Sequence, residues 1–146
     1  MVLNGSCMCG KVKYQADADP AVKAMCHCQN CQKFSGSAFT TNFILPRSAF
    51  KLLSEKLGIL GAPKHGEYTA DSWFTYRAYF CGDCGSSLYG EPDSMPQMMS
   101  IKAGTLNNGA AQLTEGKIDA EAFVKRRVAY LKPIDGATQV EGMIQL

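Results

Sequence analysis

No window of this 146-residue chain approaches the roughly 18 consecutive apolar residues of a membrane helix, and Met1-Val-Leu-Asn-Gly-Ser-Cys7 lacks a basic region followed by an apolar run. No membrane partner and no secretory signal are therefore expected, and the location expected is cytoplasmic. Neither sign of charge dominates: 15 Lys and Arg against 13 Asp and Glu leave a net +2, too weak a field to argue for nucleic acid as a partner. Internal repeats other than the cysteine knuckles, low-complexity tracts and composition shifts that would mark a linker are also missing. A single domain over residues 1–146 is expected, long enough to bury a core without obligatory staples. Its 46% hydrophobic and 19% charged residues are ordinary for a globular protein.

What the chain does have is seven cysteines. In a reducing compartment these stay thiols, and close pairs are more often metal-binding or catalytic than disulfides. An odd number weakens a pure disulfide reading further. They fall into three groups: Cys7 and Cys9 in Ser-Cys-Met-Cys-Gly, then Cys26, Cys28 and Cys31, then Cys81 and Cys84 in Phe-Cys-Gly-Asp-Cys-Gly-Ser.

Between these groups the pattern is β-like. Lys11–Ala16 alternates polar with apolar residues directly after the Cys-x-Cys-Gly turn, as a half-buried strand should. Phe39–Leu45, Phe50–Leu53, Trp73–Phe80 and Met98–Ala103 are rich in aromatic and β-branched residues and are separated by Gly, Pro, Asn and Asp. The fold class expected is mainly β with a few short helical turns. Gln29–Phe34 should make a turn or two of helix and Asp119–Val124 one more, neither long enough to stand alone. Pro133–Leu146 is expected to fold back weakly or to fray.

Cys81-x-x-Cys84-Gly has the ligand spacing of a zinc knuckle, in which a tight turn aims both thiolates at one ion. Cys7-x-Cys9-Gly10 is a shortened version. Together they supply four thiolates, a complete tetrahedral set, which by count makes a structural site. The alternative for Cys81 and Cys84 is a redox dithiol, disfavoured because no helix signal follows to lower a thiol pKa. Cys26, Cys28 and Cys31 remain, and three protein ligands with one open position is the pattern of reactive zinc. In an extended segment Cys26 and Cys28 point one way and His27 the other, which argues against His27 as a fourth ligand. Two alternatives stay open: closure of the trio by His27 or His65, or an empty and partly oxidised trio. Zinc on three thiolates is a poor Lewis acid for water and suits holding and activating another thiolate.

These residues resemble the glutathione-dependent formaldehyde-activating enzyme family, also called aldehyde-activating or centromere-protein-V-like. The resemblance runs through Gly5-Ser-Cys-Met-Cys-Gly-Lys-Val-Lys-Tyr14, Cys26-His-Cys-Gln-Asn-Cys31 with Ser35-Gly36, Phe80-Cys-Gly-Asp-Cys-Gly-Ser86, Ala103-Gly-Thr-Leu-Asn107 and Phe123-Val-Lys125, nearly the whole chain. It implies a compact zinc-binding β fold, with one ion on Cys7, Cys9, Cys81 and Cys84 and a second, labile ion on Cys26, Cys28 and Cys31. It also implies an S-(hydroxymethyl)glutathione synthase-like carbon–sulfur lyase that joins glutathione to formaldehyde. The family pattern puts a histidine before the Phe-Val pair and a tryptophan further on, where Glu121 and Tyr130 stand near those places.

The leading expectation is a zinc-dependent carbon–sulfur lyase acting on a small-molecule thiol such as glutathione and an aldehyde, with Cys26, Cys28 and Cys31 as the catalytic set. The competing classes are a non-catalytic zinc module that docks a protein or nucleic acid, and zinc trafficking or sensing through the labile site. Lys125-Arg126-Arg127 is either an anion contact or a solvated face. Trp73, Phe74, Tyr76, Tyr79 and Phe80 form either a binding surface or, by strand alternation, partly core. Ser35, Gly36 and Ser37 either line the open ligand position or end a helical turn.

Overall fold

Short aromatic and β-branched runs form strands, and strands dominate the chain. The structure, a computed structural model, describes residues 1–56, 64–69, 71, 74–109 and 117–146. β1 (Val2–Ser6), β2 (Lys13–Asp17) and β5 (Phe50–Leu52) make an antiparallel three-stranded sheet in the order β1-β2-β5. The larger sheet contains β3 (Val22–Cys26), β4 (Thr40–Pro46), β6 (Lys64–Thr69), β7 (Thr75–Phe80), β8 (Ser87–Pro92), β9 (Met98–Lys102), β10 (Ala120–Ala122) and β11 (Thr138–Val140). Its order is β11-β10-β3-β4-β9-β8-β7-β6, antiparallel except that β10 runs parallel to both β3 and β11. Among the described residues helix is limited to α1 (Gln29–Ser35), the single turn α2 (Leu53–Lys56) and short 3-10 turns. Among the described residues no helix is long and apolar enough to cross a membrane.

Alternation along the strands sorts the side chains onto two faces. Leu3, Val12, Tyr14 and Ala16 of the small sheet and its hairpin turn pack against Phe43, Leu45, Leu88, Met99 and Ile101 of the large one, all buried. Each fully buried large apolar side chain contributes roughly 1.5–3 kcal/mol relative to exposure. The intervening positions Asn42, Ile44, Ser100 and Lys102 point to the other face, because neighbours along a strand alternate. That face carries the trio, since Cys26 pairs with Thr40 and Ala24 with Asn42 across the β3–β4 ladder.

Gly90 shapes the same face. A Cβ there would lie 2.0 Å from the Tyr76 hydroxyl, so only a glycine on β8 lets the Tyr76 ring cross the strand. The ring reaches Ser100, whose Oγ is 2.6 Å from the Tyr76 hydroxyl oxygen.

Two sequence expectations change. Asp119–Val124 is not a helical turn: Ala120–Ala122 is a fully buried strand paired on both sides, followed by Phe123 at φ 55° and a 3-10 turn over Val124–Arg126. Two ladders of strand partners outweigh the helix preference of two alanines, which local sequence does not report. Pro133–Leu146 folds back in an ordered way, adding β11 to the sheet edge, while the Phe123 amide donates to the Gly142 carbonyl at 3.1 Å. The expected strand Trp73–Phe80 is present as Thr75–Phe80; Trp73 lies outside the described residues.

Candidate metal centre

The N-terminal knuckle is the turn of the β1–β2 hairpin. The Cys7 amide donates to the Val12 carbonyl and the Gly10 amide to the Cys7 carbonyl, both at 3.0 Å, while the Val12 amide points at the Cys7 sulfur at 3.2 Å. The second knuckle links β7 to β8, with the Gly85 amide donating to the Cys81 carbonyl at 2.9 Å. Gly10 and Gly85 sit at φ 75° and 73°, the left-handed turn conformation that the Cys-Gly ending of each knuckle supplies. The knuckles are stitched together beside the sulfurs: the Met8 amide donates to the Ser86 hydroxyl at 3.0 Å, and Lys11 pairs with Asp83 at 2.9 Å.

This brings the sulfurs of Cys7, Cys9, Cys81 and Cys84 within 4.8 Å of one another, and all seven thiols are free of disulfides. The Cys7–Cys9 and Cys9–Cys81 sulfur separations are 3.4 and 3.8 Å. Zinc–sulfur bonds of about 2.3 Å in a tetrahedron require sulfur separations of about 3.8 Å, so this donor set could hold a zinc ion.

Cys26, Cys28 and Cys31 form the second group, their sulfurs also within 4.8 Å of one another. Cys26 ends β3, Cys28 caps α1 by accepting from the Cys31 amide at 3.3 Å, and Cys31 lies in the first turn of that helix. Ser35 donates to the Cys31 carbonyl at 2.8 Å and Gly36 follows as the cap, so this pair ends the helix. The three thiols are electrically unequal. Cys31 is held well below its usual pKa by hydrogen bonds from Cys26 and Cys28, against burial and with help from Lys102 and Thr40. Cys28 is pushed up to about 11: the contact with Cys26 lowers it, but Cys31 and burial outweigh that. Cys26 is raised well above its usual value by Cys28 and Cys31 and then by burial. A set of sulfurs competing for one negative charge is what a cation would relieve.

His27 is fully buried and belongs to neither group, its ring lying 6.1 Å from that of Phe39. Its Nε2 stands 3.5 Å from Glu121 Oε2, and burial lowers its pKa despite that carboxylate. Glu121 is itself buried, pairs with Arg127 and accepts from the Ile134 amide at 3.0 Å, whereas Tyr130 is exposed. The His65 side chain lies outside the described residues. The basic run is occupied internally: Lys125 pairs with Glu141, Arg126 with Asp71 and Arg127 with Glu121.

A cleft of about 110 Å³ opens against the trio. Lys102 is the residue there that the sequence reading missed. Buried on β9, its Nζ donates to Asn42 Oδ1 at 2.7 Å and lies 3.4 Å from the Tyr76 hydroxyl. Burial opposes its charge, yet Tyr76, Cys31 and Cys26 outweigh that and raise its pKa. A lysine in a strand carries no local signal of this; only the register that sets Lys102 opposite Asn42 does.

Residues 2–126 match the sequence model of the family described as glutathione-dependent formaldehyde-activating enzyme. The chain belongs to this family. No curated protein matches it. Among solved structures, a Rhodobacter sphaeroides protein determined as a structural-genomics target is similar in fold, with a TM-score of 0.59 and 16% identity over 80% of this chain and 97% of that one. All seven cysteines, His27, Lys102 and Glu121 fall inside the family match, whereas Arg127 and the segment that carries β11 follow it.

Proposed function

We propose that the protein is a zinc-dependent carbon–sulfur lyase that joins a small-molecule thiol, glutathione in the family's named activity, to an aldehyde. The observation that carries this reading is the trio itself: three half-buried or buried sulfurs gathered apart from a four-sulfur group and facing a cleft. Cys7, Cys9, Cys81 and Cys84 are assigned a structural zinc, and Cys26, Cys28 and Cys31 a labile one with room for a ligand. We read residues 1–146 as one such domain, working where seven free thiols persist, in the cytoplasm.

Cys26, Cys28 and Cys31 would hold a zinc ion, whose charge would lower the pKa of a substrate thiol enough for it to be thiolate at neutral pH. The thiol loses its proton, the sulfur lone pair attacks the carbonyl carbon, and the C=O π pair moves to oxygen, which takes a proton to give the hydroxyl. The sum is RSH + R′CHO → RS–CH(OH)R′. Cys26, Cys28 and Cys31 fix where the sulfur sits. Lys102 places a positive charge beside a site that gathers thiolates, and Asn42 and Tyr76 hold its Nζ in place. The basic run, spent on ion pairs within the chain, gives no support to a nucleic-acid module.

Cobalt-substituted protein tests the reading. Millimolar glutathione is expected to change the thiolate-to-cobalt charge-transfer bands, and zinc protein to raise the rate of S-hydroxymethylglutathione formation above the spontaneous rate, followed by NMR exchange. Unchanged bands and an unchanged rate would refute it.

A further inference from the structure

The cleft at the trio has few uses for polar ligand atoms. Ile44, Met95, Phe123, Met143 and Ile144 line it beside the three cysteines. Its charged groups are already engaged: Lys102 Nζ with Asn42, and Asp71 with the Gln29 amide at 3.0 Å and with Arg126 Nε at 3.1 Å. Tyr76 and Ser100 are bonded to each other. A polar ligand entering here would lose water without finding free partners, whereas a methylene would lose nothing.

We propose that the substrate meeting the trio carries a short, uncharged hydrocarbon chain on its reacting sulfur or carbonyl carbon. This deepens the lyase reading and rests on it. Formaldehyde has no such chain, and a peptide thiol would present only its sulfur and the neighbouring methylene to this wall, its charged groups staying outside. Size sets the length. An apolar cavity of roughly 150 Å³ takes a benzene ring, and in proportion the 110 Å³ here takes about four carbons. Two of the wall residues lie beyond the family match: Met143 and Ile144 come from the segment after residue 126, and they reach the cleft because β11 is tied to β10. Methionine suits the role, since its flexible thioether adapts to chains of differing shape.

The test has two arms that separate the sources of the chain. In the first, ethanethiol, propane-1-thiol, butane-1-thiol and hexane-1-thiol are titrated into cobalt-substituted protein and the charge-transfer bands are read, which requires no turnover. In the second, formaldehyde, propanal and pentanal are compared as partners of glutathione with the zinc protein. Affinity in the first arm, or kcat/KM in the second, is expected to rise about fourfold per methylene up to about four carbons and then level off. The arm that shows the rise names the substrate that bears the chain. Flat series in both arms, with the bands still responding to ethanethiol or glutathione, would overturn this inference alone. No response to any thiol would overturn the lyase reading with it. Ile144→Asp and Met143→Ala lie outside the regular elements and should leave the fold intact while flattening the rise. A rise that survives Ile144→Asp would place the chain elsewhere and sink the assignment of this cleft.

Discussion

Cys9 and Cys81 stand 72 residues apart in sequence and 3.8 Å apart in space, whereas Cys26, Cys28 and Cys31 share the short junction between β3 and α1. The first group ties a hairpin of the small sheet to a turn of the large one, and two of its members, Cys7 and Cys81, are part of the hydrophobic core. The second ties little of the chain together and faces a cleft. Sulfur chemistry is the same in both. What differs is the length of chain that an ion would close and the access it would leave, and these properties divide a structural from a reactive site.

The sharpest way to break that comparison is to remove one sulfur from each group. Structural zinc contributes on the order of 10–16 kcal/mol in small zinc-dependent folds, and typical domains have a net stability of only about 5–15 kcal/mol. Cys84→Ser, at a half-exposed position that leaves no hole in the core, is therefore expected to give insoluble protein or a fall in Tm of tens of degrees. Cys28→Ser is expected to fold, keep the zinc of the four-sulfur group, and lose its response to thiols. Thermal melts and zinc content under reducing conditions decide the matter; equal destabilisation of the two variants would make the trio structural.

The two regions also differ in how far they could be read from sequence. Knuckles announce themselves, because a Cys-x-x-Cys-Gly turn is local and its glycine has one conformational reason to be there. The strand Lys13–Asp17 shows in its alternation, Thr40–Pro46 in its aromatic and β-branched run, and the helix Gln29–Ser35 as the turn or two expected over Gln29–Phe34. Val22–Cys26 and Ala120–Ala122 do not, because each owes its strand form to ladders on both sides, one of them the parallel pairing with each other across nearly a hundred residues. The cleft was illegible for the same reason. Lys102 meets Asn42 across the β4–β9 ladder, Tyr76 arrives over Gly90, and Met143 comes from a segment that composition marked only for weak return.

A smaller effect probes the charge at the cleft. Lys102→Met keeps the length of the side chain and removes its charge, leaving Asn42 Oδ1 without this donor. Lys102 lies at the trio and not at the four-sulfur group, where the neighbouring lysine is Lys11, so the structural ligands stay in place and stability should change far less than in Cys84→Ser. Hydrogen bonds to charged groups are worth about 1.5–3 kcal/mol, which sets an expected loss of about tenfold to a hundredfold in glutathione affinity of the cobalt protein. Unchanged affinity would mean that Lys102 only fills the sheet face.

The smallest predicted effect is a matter of order among three thiols. With the four-sulfur group loaded and the trio emptied by mild chelation, the trio shares one negative charge, and Cys31 holds it. Its pKa in the folded protein is depressed, so Cys31 stays thiolate as pH falls below the usual thiol value of 9, and the stabilisation this gives is lost only when pH drops through that lowered pKa. Cys28, pushed up to about 11, and Cys26, raised well above its usual value, remain protonated at pH 7 and contribute in the opposite sense. Because the thiolate is the nucleophile, brief treatment with iodoacetamide at pH 7 should place one alkyl group on the trio, at Cys31, although Cys26 is comparably exposed. Peptide mapping by mass spectrometry reads the position. Zinc added first should suppress the labelling. Equal labelling of Cys26 and Cys31 would mean that access rather than charge orders the trio, and its electrical asymmetry would lose its chemical consequence.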